Sequence, residues 1–214
     1  MKKWVKRVIP AILTATMILT SIPGSMQVEA EEQESQASAN EAVQLITNYE
    51  MTLTEDGKLE DKAGGHNANM VSMGQGDINE GNLIFTGNKS QYIEFPEGTF
   101  GDDESFTIDL KFNTSQKAYA WVYNLGARDT ADYVFLNTMR SEGNTVFALK
   151  QKPAGEKFVM KNNVVTPGAD TWATMVFQDN NTANLYINGK LSGSISHGYS
   201  VQTIINNAKK DNCI

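Results

Sequence analysis

Apolar and polar side chains alternate in short runs through most of this chain. In "SFTIDLKF", Ser105 to Phe112, the residues Phe106, Ile108, Leu110 and Phe112 share one face, and Thr107, Asp109 and Lys111 share the other. A period of two is the signature of a strand with one face in a core and one in water. In "TWATMVFQ", Trp172, Thr174 and Val176 oppose Ala173, Met175 and Phe177, and both faces are apolar enough for a central strand. The same reading predicts strands at 45–51, 83–85, 92–95, 105–112, 119–125, 133–137, 145–150, 157–160, 171–178, 183–187 and 190–196. Turn signals lie between them, the clearest being Asn188-Gly189, a pair that accepts the positive φ angles of a two-residue hairpin turn. Beyond residue 50 there is no helical period, and the one helix candidate is a short run at 40–46. Even strand spacing of this kind predicts an antiparallel all-β sandwich.

The start of the chain follows different rules. Lys2, Lys3, Lys6 and Arg7 precede an uncharged apolar stretch from Val8 to Pro23, and Val28-Glu29-Ala30 supplies a small-residue cleavage site, so residues 1–30 read as an export signal. Residues 31–41 contain only Glu, Gln, Ser, Ala and Asn and read as a flexible acidic spacer. The folded domain is expected over 42–214. Loss of the signal removes four of 18 basic and one of 25 acidic residues, leaving 14 against 24 and a net charge near −10. So acidic a surface repels phosphate backbones and anionic lipid heads, which argues against nucleic-acid or membrane partners. Cys213 is the single cysteine, so an internal disulfide and a cysteine metal cluster are both excluded.

Retaining glycanases on strand scaffolds need two carboxylates about 5 Å apart. No alternating Glu-x-Asp-x-x-Glu strand occurs here: Asp102, Asp103 and Glu104 sit in a turn, Asp109 is alone on its strand, and Glu50, Glu55, Glu60 and Asp61 are dispersed. His66 and His197 lie in Gly- and Ser-rich loops without a serine elbow. The residues therefore predict a chain that is not an enzyme. Binding is a different matter, because rings that stack on a sugar, framed by amides, suffice for it. Tyr119, Trp121 and Tyr123 alternate along one predicted strand, and Tyr133 and Asn137 share a face of the next, which nominates these five as a carbohydrate platform.

The blocks "LIFTGNKSQYIEFPEG" (Leu83 to Gly98), "DDESFTIDLKFN", "AWVYNLG", "DYVFLNT" and "TWATMVFQDNNTANLYINGKLSG", followed by "GYS", occur in an order that resembles the laminin-G-like, concanavalin A-type jelly-roll domains of secreted bacterial proteins. Those placed ahead of family 43 glycoside hydrolase catalytic domains look most alike. The resemblance covers about Tyr49 to the end and implies an antiparallel two-sheet jelly-roll β-sandwich (concanavalin A-like). It also implies two closing strands after "GYS" that this sequence does not contain, and hence a sandwich missing its last one or two strands, derived from a longer protein. Many such domains carry a structural calcium ion, for which Asp61, Asn67 and Asn69 would be the oxygen donors here. The expected function is a secreted, non-catalytic carbohydrate-binding accessory module, whose partner is a polysaccharide such as a plant cell-wall glycan or a downstream catalytic domain. The alternatives are a cell-surface protein-interaction or structural domain without sugar binding, and hydrolase activity in a longer parent.

Overall fold

The computed structural model describes residues 44–88, 90–115, 119–126, 132–140 and 143–207. All of them belong to the unit Val43–Ile214. The export signal at 1–30, the spacer at 31–41 and Cys213 lie outside the described residues. In chain order the elements are β1 (Tyr49–Leu53), β2 (Leu59–Asp61), β3 (Asn69–Val71), a 3₁₀ turn (Gln75–Asp77), β4 (Ile78–Asn79), β5 (Asn82–Leu83), β6 (Tyr92–Glu94) and β7 (Phe106–Phe112). They continue as β8 (Ala120–Gly126), β9 (Tyr133–Arg140), β10 (Asn144–Lys150), β11 (Lys157–Asn162), β12 (Thr171–Gln178), β13 (Thr182–Ile187), β14 (Lys190–Ser196) and α1 (Val201–Asn207).

Two four-stranded antiparallel sheets carry the fold, one in the order β11-β10-β9-β8 and the other in the order β14-β13-β12-β7. Alternation sends Val134, Leu136, Phe147 and Leu149 of the first sheet and Ala173, Met175, Phe177, Ala183, Leu185 and Ile187 of the second into one shared core. Phe147 meets Phe177 edge-on across that core, with ring centroids 6.0 Å apart. The chain is thus an all-β, two-sheet jelly-roll sandwich. Each fully buried aliphatic or aromatic side chain contributes about 1.5–3 kcal/mol, so these facing rows supply the main stabilisation.

Local chemistry sets the connections. Asn188 and Gly189 take φ angles of 51° and 76°, and the turn is tied to β12 because Asn188 Oδ1 accepts the Trp172 N–H at 2.9 Å. The edges of the two sheets meet where Gly193 of β14 leaves room for the side chain of Val159 on β11.

Three expectations need correction. Residues 44–46 are not helical, and the helix forms instead at α1. Ser200 caps it by accepting the Thr203 N–H at 3.0 Å, while the Glu104 carboxylate accepts the Val201 N–H at 2.9 Å and the Ser200 hydroxyl. Val201, Ile204 and Ile205 are buried in the core, which is what holds a helix of under two turns. The strand expected at 83–85 ends at Leu83, leaving Ile84 and Phe85 exposed. The third correction concerns the parity of Tyr123 and is taken up with the site. No described helix is long and apolar enough to cross a membrane.

Candidate functional site

The outward faces of the two sheets differ in chemistry. On the β7/β12–β14 sheet the outward row is largely polar: the Thr174 hydroxyl donates to Asp109 at 2.6 Å, Lys111 pairs with Asp170 at 2.5 Å, and Ser194 donates to Asn184 at 2.5 Å. That matches the solvated face read from Asp109 and Lys111. The outward face of the β8–β11 sheet is aromatic and aliphatic. Phe135, Val146 and Ala148 are buried there in a cluster of their own, with Tyr133 packed against it. The continuous apolar run of β10 has this cause, since the strand is covered on both faces.

Cross-strand register assembles the rest. Phe158 pairs with Ala148 and Met160 with Val146, so both project from the same face, 57% and 50% exposed. Trp121 pairs with Asn137 and is 60% exposed, with its ring edge-on to Phe135 at 5.1 Å. Tyr133 lies 5.6 Å from Phe135 on the other side, with Lys150 Nζ 5.7 Å from its ring centroid. The Tyr133 hydroxyl donates to the Glu156 carboxylate, and burial first and that carboxylate second hold the phenol above its ordinary pKa. The result is a row of rings bordered by an amide, an ammonium and a carboxylate. Flat apolar surfaces edged with hydrogen-bonding groups suit a ligand that has both an apolar face and hydroxyls.

Of the five nominated residues, Trp121, Tyr133 and Asn137 come together on this face. Tyr119 is exposed just before β8 with φ of 50°, outside the strand. Tyr123 does not join them, because a bulge shifts the register between Trp121 and Tyr123 and turns Tyr123 into the core, where it is 2% exposed. An extra residue in one strand inverts the alternation beyond it. Phe135, Lys150, Glu156, Phe158 and Met160 were missed. Phe135 was legible, since it stands at the same parity between Tyr133 and Asn137; the other four depend on pairing partners that alternation alone does not name.

The calcium donors do not fit an ion. Asp61 is buried, and its carboxylate accepts the N–H groups of Asn48 at 2.7 Å and of Ala63, Gly64 and His66 at 3.0 Å each. Burial opposes ionisation, but these four donors more than offset it and hold the carboxyl below its ordinary pKa. Asn67 Oδ1 accepts the Asp61 N–H at 2.9 Å, and the Asn69 amide donates to Glu94 at 3.2 Å. A ring of N–H donors around a carboxylate organises the loop from within, and its positive edges face the oxygens a cation would need. His66 Nδ1 lies 3.5 Å from Asp61 Oδ2. Among the described residues no three His, Cys, Asp or Glu side chains are grouped to hold a metal ion.

The family model of the concanavalin A-like lectin/glucanases superfamily (laminin G type) matches residues 86–212, and the chain belongs to that family. Among solved structures it is similar to domain 4 of AbnA, a GH43 extracellular arabinanase from Geobacillus stearothermophilus, in complex with arabinotriose. That match has 17% identity and a TM-score of 0.54, covering 79% of this chain and 81% of that one. A second similar structure is the CBM40 of the Ruminococcus gnavus IT-sialidase bound to α2,3-sialyllactose, at 15% identity and a TM-score of 0.41. It covers 51% of this chain, which spans 62% of that module. A third is the S-layer domain-containing protein (residues 221–444) from Clostridium thermocellum, at 22% identity and a TM-score of 0.46, covering 77% and 78%. A search of curated proteins finds no match. At 17% identity the similarity to the arabinanase domain shows the fold alone.

Proposed function

We propose that this domain is an exported, non-catalytic carbohydrate-binding module that holds a polysaccharide on the outward face of the β8–β11 sheet. The observation that carries the reading is the row Trp121, Phe135 and Tyr133, with Phe158 beyond it, set on a sheet face that water would otherwise cover. A module of the same fold in complex with arabinotriose supports it. Export rests on the basic and apolar start of the chain, and the absence of a catalytic role on the missing acid pair in the sequence.

Affinity electrophoresis through arabinan, xylan and related glycans tests the proposal. Retardation by at least one glycan is expected, and Trp121→Ala is expected to weaken it at least tenfold while leaving the far-ultraviolet circular dichroism unchanged. A folded sample that no glycan retards would overturn the reading. A second reading, a surface that packs against another protein, has the exposed Phe158 and Met160 of the edge strand β11 in its favour.

A further inference from the structure

Resting on that carbohydrate reading, we infer that Asn137 and Asn144 form a polar subsite that pairs with adjacent hydroxyls of the bound sugar. Asn137 is 0% exposed, and neither its Nδ2 nor its Oδ1 has a hydrogen-bond partner. Asn144 is 8% exposed and its Oδ1 is also unpartnered. Native proteins pair the great majority of buried polar atoms, and each one left unpaired destabilises the fold. A leucine at 137 would serve the fold better. An amide kept there at that cost points to a partner supplied from outside.

Position places these atoms beside the platform. Asn137 pairs directly with Trp121 on one side and with Val146 on the other. Asn144 precedes Val146 by two residues on a strand regularly paired with β11, so it shares that outward parity. The unpaired set is then one N–H₂ donor and two carbonyl acceptors. A pair of sugar hydroxyls satisfies it, since each hydroxyl both donates and accepts. Exchanging the O and N of the Asn137 amide changes nothing, as both atoms lack partners.

Trp121 is the cross-strand neighbour of Asn137, so a sugar bound at Asn137 should alter the indole environment. The test uses the purified folded chain with Trp172→Phe as background, titrated with debranched arabinan, xylan and polygalacturonan and followed by Trp fluorescence and calorimetry. Binding of at least one of these glycans is expected, with Asn137→Leu weakening it at least tenfold and raising Tm. Asn137→Ala and Asn144→Ala provide the same readout should the leucine not fold. Undiminished affinity in these variants would overturn the subsite while Trp121→Ala continues to define the platform. Binding to no glycan would overturn both.

Discussion

Asp61 shows how one side chain can organise a loop. With four backbone N–H groups on its carboxylate, replacement by Asn puts an N–H₂ group among donors, and a loss of about 2–3 kcal/mol is expected at neutral pH. The pH dependence follows from the sign of the shift. The folded pKa is below the ordinary aspartate value of 3.8, so the stabilisation is fully present above that value and disappears as pH falls through the lower, folded one. Thermal melts from pH 6 to pH 2 should show the advantage of the wild type over Asp61→Asn shrinking in acid; a constant gap would refute the role. Tyr123 makes the opposite case. Its hydroxyl is buried without a partner, and desolvation pushes its pKa well up. Tyr123→Phe should be neutral or raise stability by about 1 kcal/mol in urea unfolding, because no hydrogen bond is lost.

At the scale of elements, the contact between Gly193 and Val159 decides how closely the sheet edges approach. A Cβ on residue 193 would press on Val159 Cγ2 and lie 3.1 Å from its Cβ and 3.2 Å from its Cγ1. Gly193→Ala is therefore expected to cost about 1–3 kcal/mol, lowering Tm by about 3–10 °C. Val159→Ala in the same chain should recover part of the loss, a coupling that a double-mutant cycle measures. The β11 pattern is also where sequence reasoning is weakest. Alternation in Lys157-Phe158-Val159-Met160 would send the larger Phe and Met inward, but the structure turns the half-buried Val159 toward Gly193 and Phe158 and Met160 outward. The long strands from β7 to β14 were legible as β-rich runs of four or more residues bounded by turn signals. β2, β3 and β4 were not, being two or three residues long and held by loop closure rather than by a period of their own. Of the site, Trp121, Tyr133 and Asn137 were legible from spacing, and Tyr123 was misplaced because a bulge leaves no mark in the alternation that it interrupts.

For the whole molecule, the two outward faces offer an internal control. Each carries an exposed tryptophan, Trp121 on the β8–β11 sheet and Trp172 on the other, 60% and 48% exposed. Among the described residues Trp121 meets Phe135 of the ring cluster, while Trp172 pairs across the strand with Lys111. Ligand that binds the folded state alone stabilises it by about 2.7 kcal/mol at a hundredfold excess over Kd, which for a domain of this size raises Tm by about 5–10 °C. Glycan at that excess should therefore raise the Tm of the wild type and of Trp172→Ala by equal amounts and that of Trp121→Ala by about half as much or less. The free-state melting temperatures of the two variants need not agree, because the comparison is between each protein with and without glycan. A Tm rise lost in Trp172→Ala and kept in Trp121→Ala would move the binding surface to the opposite sheet, where Asp109, Lys111 and Asn184 would have to supply the polar contacts.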